Sequence, residues 1–250
     1  ILSVSLAAAT ASAKYYKLPL YKYLGGTSNY KMPTPMFNVI NGGAHANNKL
    51  SFQEFMIIPV NNYNFAECLR KSSEVFHNLR LIIDDKGFST SVGDEGGFAP
   101  DLNSESEALD LISMAIKKSG YKLVDDFVFA LDVASTEFYK KNKYKLITQK
   151  NPFTSDEFAI FLKKMCNKYP IASIEDPMAE DDWVGWSNLT SVIGDKVQIV
   201  GDDLFVTNID RLKTGIKKNS ANSILIKLNQ IGTLTETIEC IELAKANKFE

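Results

Sequence analysis

Two hydrophobic patterns alternate along this chain. In one, apolar residues return every three or four positions. In the other, short apolar runs stand almost unbroken. The first predicts amphipathic helices and the second buried strands. Residues 62–85 place Phe65, Leu69, Phe76, Leu79 and Ile83 at helical spacing. Ser104 and Glu107 form a capping-box pattern ahead of Leu109, Ile112 and Ile116, and Gly120 ends that helix. Thr154 and Glu157 repeat the pattern before Phe158, Phe161, Leu162 and Met165, and Thr233 and Glu236 repeat it before Ile238, Ile241 and Leu243. Between these helices lie F-V-F-A-L-D at 127–132, I-A-S-I-E at 171–175, Q-I-V-G-D at 198–202 and S-I-L-I-K at 223–227. Unbroken apolar strands alternating with amphipathic helices predict a parallel sheet covered on its outside. Two earlier runs, M-F-N-V-I-N at 36–41 and F-M-I-I-P-V at 55–60, predict two more strands. The Asn-rich connection between them reads as too short for a helical crossover. The sheet is therefore expected to open with an antiparallel pair and to continue as β/α units.

Composition narrows the class. The chain has 250 residues, 45% hydrophobic and 23% charged, with a net charge of −2. That is the mix of a globular protein, and without a Lys/Arg block it argues against a nucleic-acid partner. Cys68, Cys166 and Cys240 are widely spaced and show no metal or disulfide pattern, so they read as reduced thiols. The start, I-L-S-V-S-L-A-A-A-T-A-S-A at 1–13, resembles a signal core, but it lacks an initiator Met and a positive flank. It is also short for a membrane span. It reads as the end of a buried helix, in a chain that begins inside a longer protein.

The chemistry lies where the strands end. Asp132, Glu175, Asp202 and Lys227 each close one of the four later apolar runs. They could simply start solvated loops. A charge ending a buried strand is costly, however, unless it has a partner. In a β/α barrel such ends converge on one mouth, where active sites are built. Three carboxylates gathered there repel one another unless their pKa values rise or a cation joins them. An all-oxygen set suits Mg²⁺ or Mn²⁺. A lysine beside that cation is pushed toward neutral pH and can act as a general base. A separate acid is offered by V-G-D-E-G-G-F-A-P at 92–100, where glycines surround Asp94 and Glu95. That loop reads either as a solvated turn or as a device carrying a carboxyl group into a crowded site. Metal, lysine base and separate acid together fit removal of a proton next to a carboxylate followed by loss of a leaving group.

These residues sit in longer motifs that resemble the enolase family from residue 1 to residue 250. The pieces are N-V-I-N-G-G-A-H-A at 38–46, Q-E-F-M at 53–56, V-G-D-E-G-G-F-A-P at 92–100, D-V-A-S-T-E-F-Y at 132–139, S-I-E-D-P at 173–177, V-G-D-D-L-F-V-T-N at 200–208 and I-L-I-K-L-N-Q-I-G-T at 224–233. A lysine or histidine base working with Mg²⁺ is a mark of the enolase superfamily. The resemblance implies reversible, Mg²⁺-assisted dehydration of 2-phosphoglycerate to phosphoenolpyruvate in glycolysis, by a cytoplasmic enzyme that is a homodimer at full length. By motif, Asp132, Glu175 and Asp202 look like the Mg²⁺ ligands, with Asp203 in support. Lys227 matches the base at C2. Glu95 matches the acid at the C3 hydroxyl, with Glu54 beside it. His45 matches a mobile-loop residue near the substrate, and Gln53 lies close to it. Glu54, Glu175, Asp202 and Lys227 are expected to border the substrate as well.

The implied fold is α/β. It is an incomplete enolase-type β/α barrel, with a ββαα start and then βα units, over residues 31–250. Residues 1–30 would be the last helix and linker of a preceding α+β domain. The family also has a mobile loop in that domain, and two further β/α units carrying a His-Arg-Ser loop and a second lysine. The segment therefore reads as an internal fragment, expected to be inactive alone. Two other classes stay open: a non-catalytic protein keeping the fold, and a superfamily enzyme acting on another carboxylate. Retention of Lys227, Glu95 and all three acids speaks against the first, and the G-D-E-G-G and His45 loops speak against the second. His77, Trp183 and Trp186 read as structural, and Asp181 and Asp182 as solvated. Asp94 reads as an orienter or a turn former.

Overall fold

A computed structural model describes residues 1–27, 30–61 and 64–250. The chain begins with helices α1 (Leu2–Tyr15) and α2 (Leu20–Gly25), followed by strands β1 (Phe37–Asn41) and β2 (Glu54–Pro59). Helices α3 (Phe65–Asp85) and α4 (Glu105–Lys118) lead to β3 (Phe127–Asp132) and a small hairpin of β4 (Tyr139–Lys140) and β5 (Lys143–Tyr144). Then come α5 (Ser155–Lys168), β6 (Ile171–Glu175), α6 (Trp183–Ile193), β7 (Gln198–Gly201) and α7 (Ile209–Lys218). The described chain closes with β8 (Ser223–Ile224), α8 (Leu228–Ile231) and α9 (Leu234–Ala246).

Among the described residues, the main sheet has six strands in the order β1-β2-β3-β6-β7-β8 and does not close on itself. β2 runs antiparallel to both β1 and β3, while β3, β6, β7 and β8 are parallel. The ββαα opening and the βα continuation are those the apolar runs predict. Both faces of the sheet are covered, which is why the strands read as unbroken apolar runs. On the helix side, Phe55, Ile57, Phe127, Phe129 and Leu131 join the large core. Fully burying such side chains stabilises by about 1.5–3 kcal/mol each. Met56, Ile58 and Ala130, flanked by Val128 and Ala172, make a small second core on the other face. Side chains alternate along a strand, so Glu54 and Asp132 lie on that second face, at its upper end.

The helix starts are chemically marked. Thr154 and Glu157 cap α5 reciprocally. Ser104 accepts from the Glu107 amide at the start of α4, while the Glu107 carboxylate turns to the Asn103 amide instead of closing the box. Such caps contribute about 1 kcal/mol each. The predicted helix over 62–85 begins at Phe65; residues 62 and 63, like 28 and 29 of the expected linker, lie outside the described residues.

Three expectations need correction. Residues 1–13 do form a helix, but not a buried one: Ala13 alone of α1 is buried, and Ile1 and Val4 are 93% and 73% exposed. It packs against α2 and α9, and the Leu234 amide of α9 donates to Ser5 Oγ. The run 223–227 leaves the sheet at Ile224. The Leu225 amide still reaches Gly201 of β7, but the Lys227 amide turns to Thr207 Oγ1, and Lys227 becomes the residue capping α8. Asp182 is not merely solvated: it caps α6 and accepts from the hydroxyls of Tyr144 and Ser155, both at 2.6 Å. Trp186 is buried, with its indole N–H on the Ala179 carbonyl, and Trp183 lies under the Arg211 guanidinium. Among the described residues, no helix is long and apolar enough to cross a membrane.

Candidate active site

Three acids lie in one row across adjacent strands. Glu54 of β2 pairs with Asp132 of β3, and Asp132 pairs with Glu175 of β6. Residues directly opposite in a sheet point the same way, and like charges so placed repel. One strand further, Val200 is opposite Glu175, and Asp202 follows two positions on, so it returns to the same face. The sheet register thus puts Glu54, Asp132 and Glu175 on one face, with Asp202 just past the end of β7. Of the predicted ligands, only Glu175 and Asp202 have carboxylate oxygens within 4.8 Å of each other in a cluster, and Asp132 is not part of it.

Burial makes this gathering costly. Asp132 and Asp202 are both buried. Burial, and then the charges of Glu175, Asp176 and Glu54, push the Asp132 carboxyl well above the usual carboxylate range. Burial, followed by Asp176 and Asp202, pushes Glu175 up to about 8. Glu54 is raised too, by burial first and by Glu95 next. Two observations therefore fit a divalent cation at this row. The donor set is all oxygen, and burial and mutual repulsion disfavour the charged form of Asp132, Glu175 and Glu54, a cost that a cation would relieve.

Lys227 enters from beyond β8. Its Nζ donates to Asp202 Oδ2 at 2.5 Å, and Gln230 Nε2 donates to Asp202 Oδ1 at 2.7 Å. Burial alone would lower the Lys227 pKa. The hydrogen bond to Asp202, with the charges of Glu175 and Asp132, outweighs it and holds the ammonium above its ordinary range. This differs from the expected depression, because the neighbouring acids favour the charged form of the lysine. Gln53 lies beside the row, with its amide nitrogen 3.4 Å from Asp132 Oδ2.

The other side of the mouth is built from loops. His45 ends a short 3-10 turn, Gly43–His45, and its Nδ1 lies 3.8 Å from Glu54 Oε1. The loop at 93–97 lies against that turn: the Asp94 amide donates to the His45 carbonyl, and the Gly97 amide to Asn41 Oδ1. Glycine is required at both ends of this loop by close approach. A Cβ on Gly93 would stand 2.6 Å from the His45 carbonyl oxygen, and one on Gly97 would stand 2.8 Å from Asn41 Oδ1. Packed so tightly, the loop brings a carboxylate oxygen of Glu95 and ligand-type atoms of His45 and Glu54 within 4.8 Å of one another. Glu54 thus stands between the two groups, next to His45 and Glu95 on one side and in register with Asp132 on the other. His77 is on the outer surface of α3, away from the mouth.

Sequence reasoning passed over two residues here. Asp176 joins Glu175 and Asp202 in a cluster whose carboxylate oxygens lie within 4.8 Å of one another. It follows Glu175 directly in S-I-E-D-P, so a second acid beside a strand-end acid was the available signal. Gln230 stands three residues past Lys227, one turn along α8, and only that helix brings it back to Asp202. Asp203 lies beside the cluster, with its carboxyl raised by burial and then by Asp202. In a comparison with protein families, the model described as the enolase C-terminal TIM barrel domain matches residues 29–250.

Proposed function

This chain belongs to the enolase C-terminal TIM barrel family, and on that premise we propose that it carries the catalytic mouth of an enolase. The reaction is reversible dehydration of 2-phosphoglycerate to phosphoenolpyruvate, a hydro-lyase step of glycolysis. The observation that carries this reading is the opposition of two groups across one mouth. Lys227 stands with the acid row on one side, and Glu95 stands with His45 on the other, with Glu54 between them.

In this reading Asp132, Glu175 and Asp202 hold Mg²⁺, with Asp203 in support. The bound ion supplies positive charge that stabilises the dianion formed when a proton leaves C2 of the substrate. Lys227 takes that proton. Its tie to Asp202 fixes Nζ at the acid row, and it can accept a proton once the acids' charge is offset. Glu95 gives a proton to the departing C3 hydroxyl. Glu54, whose carboxyl is raised by burial first and by Glu95 next, stands beside it. His45 and Gln53 border the substrate and orient it. The residues before about position 30 belong to a preceding domain and those after it to the barrel, which the start of the family match at residue 29 supports. The enzyme works in the cytoplasm as a homodimer at full length, and its partner is a small phosphorylated acid rather than a nucleic acid.

The test is direct. Full-length protein is given 2-phosphoglycerate and Mg²⁺, and phosphoenolpyruvate is followed by its ultraviolet absorbance. Turnover that stops on chelation and returns with Mg²⁺ is expected. A folded full-length protein that forms no phosphoenolpyruvate would sink the reading.

A further inference from the structure

We propose that Asp176 is a positioning residue that spaces Asp202 from Glu175, and not a ligand of the cation; this rests on the metal site described under Proposed function. By distance alone Asp176 ranks with the ligands, since its carboxylate shares the 4.8 Å cluster of Glu175 and Asp202. Its hydrogen bonds say otherwise. Oδ1 accepts from the Asp202 amide at 3.0 Å, and Oδ2 accepts from the Asp203 amide at 2.8 Å. Both oxygens thus face two consecutive amides just beyond β7. Asp202 differs: its carboxylate takes the side chains of Lys227 and Gln230, groups that can swing aside.

The backbone of Asp176 extends the same role. Its amide donates to the Val200 carbonyl in β7 at 3.0 Å, and its carbonyl accepts from the Ser135 amide, just past β3, at 3.1 Å. One residue therefore joins the ends of all three strands that carry the proposed ligands. Asp176 is 3% exposed and has a φ of 40°, in the left-handed region. Such a conformation is costly for a residue with a Cβ and persists where its surroundings over-determine it. Here the clamp on β7 supplies that constraint. Groups that orient metal ligands typically contribute 10–100-fold in metal affinity.

The test uses the full-length protein with Mn²⁺ as probe, free Mn²⁺ being counted by its electron paramagnetic resonance signal. Asp176→Asn keeps the shape but leaves one acceptor, and it turns an NH₂ toward the other amide. Asp176→Gly removes the clamp and accepts the left-handed backbone without strain. Both variants are expected to bind Mn²⁺ about 10–100-fold more weakly, with wild-type circular dichroism and wild-type stoichiometry at saturation. Wild-type affinity in either folded variant overturns the proposal. So does loss of one bound Mn²⁺ at saturation, which would make Asp176 a ligand. Failure of Asp176→Gly to fold also overturns it, by making the residue structural. Wild-type protein that binds no Mn²⁺ overturns the metal reading itself, and is thereby distinct from the other outcomes.

Discussion

Asp132 and Glu175 stand on strands, whereas His45 and Glu95 stand on loops, and the two sides of the mouth are held in different ways. On the strand side, ladder hydrogen bonds fix the backbone, so neighbouring acids come into line whether or not their charges agree. Burial first, and then the repulsion between neighbours, raises the Asp132 and Glu175 carboxyls. On the loop side, a few contacts position the chain: Asn41 Oδ1 on the Gly97 amide and the His45 carbonyl on the Asp94 amide. Glu95 itself is exposed. The contrast teaches where rigidity is used. Charges that must stay close without a partner stand on the ladder. In the proposed reading, the group that acts on the substrate stands exposed on a loop anchored at both ends by close-packed glycines.

The comparison is broken most severely by removing one reacting group from each side. In the full-length protein, Lys227→Ala is expected to lower turnover by at least about 10³-fold and to abolish exchange of the substrate C2 proton with solvent. Glu95→Gln is expected to lower dehydration by about 10²–10³-fold while some C2 exchange survives. Deuterium loss followed by NMR separates the two. If Glu95→Gln lost exchange and Lys227→Ala kept it, the assignment of sides would be reversed.

A smaller effect tests how the loop is held. In Gly97→Ala the new Cβ meets Asn41 Oδ1 and the Ile40 backbone nitrogen, 2.9 Å away, and the backbone cannot yield as a side chain can. We expect a stability cost of about 1–3 kcal/mol, read by urea denaturation, and a fall in turnover. Mg²⁺ affinity by calorimetry should not change, because the clash falls on β1 and not on β3, β6 or β7, whose ends carry the proposed ligands. Weakened Mg²⁺ binding in this variant would show that the two sides are not held separately.

The smallest effect is a pH dependence of stability on the strand side. Burial, and then neighbouring carboxylates, raise Asp132 and take Glu175 to about 8; burial, against two amide bonds, takes Asp176 to about 7. The folded protein therefore holds protons that the unfolded chain releases. This contribution is fully present below the ordinary carboxylate pKa and is lost as pH rises through the folded values. Without Mg²⁺, the urea midpoint should decline between about pH 6 and pH 8. Saturating Mg²⁺ should flatten that decline. A midpoint that rises with pH in Mg²⁺-free buffer would contradict these protonation states.

Much of this protein is legible in local pattern. The runs at 127–132 and 171–175 are strands β3 and β6 to the residue, and Ser104, Thr154 and Thr233 each cap a helix. These features depend on residues a few positions apart, within reach of one helical turn or one strand. The strand-end positions of Asp132 and Glu175, and the glycines around Glu95, are legible for the same reason. Register and docking are not. That Glu54, Asp132 and Glu175 share one row follows from pairing between distant segments. So do the turn of Lys227 and Gln230 back onto Asp202, the grip of Asp176 on two β7 amides, and the exposure of α1. Local periodicity decides which face a residue takes within its own element. Which other element meets that face depends on the balance of burial and hydrogen bonding over the whole sheet, and only the tertiary structure decides that.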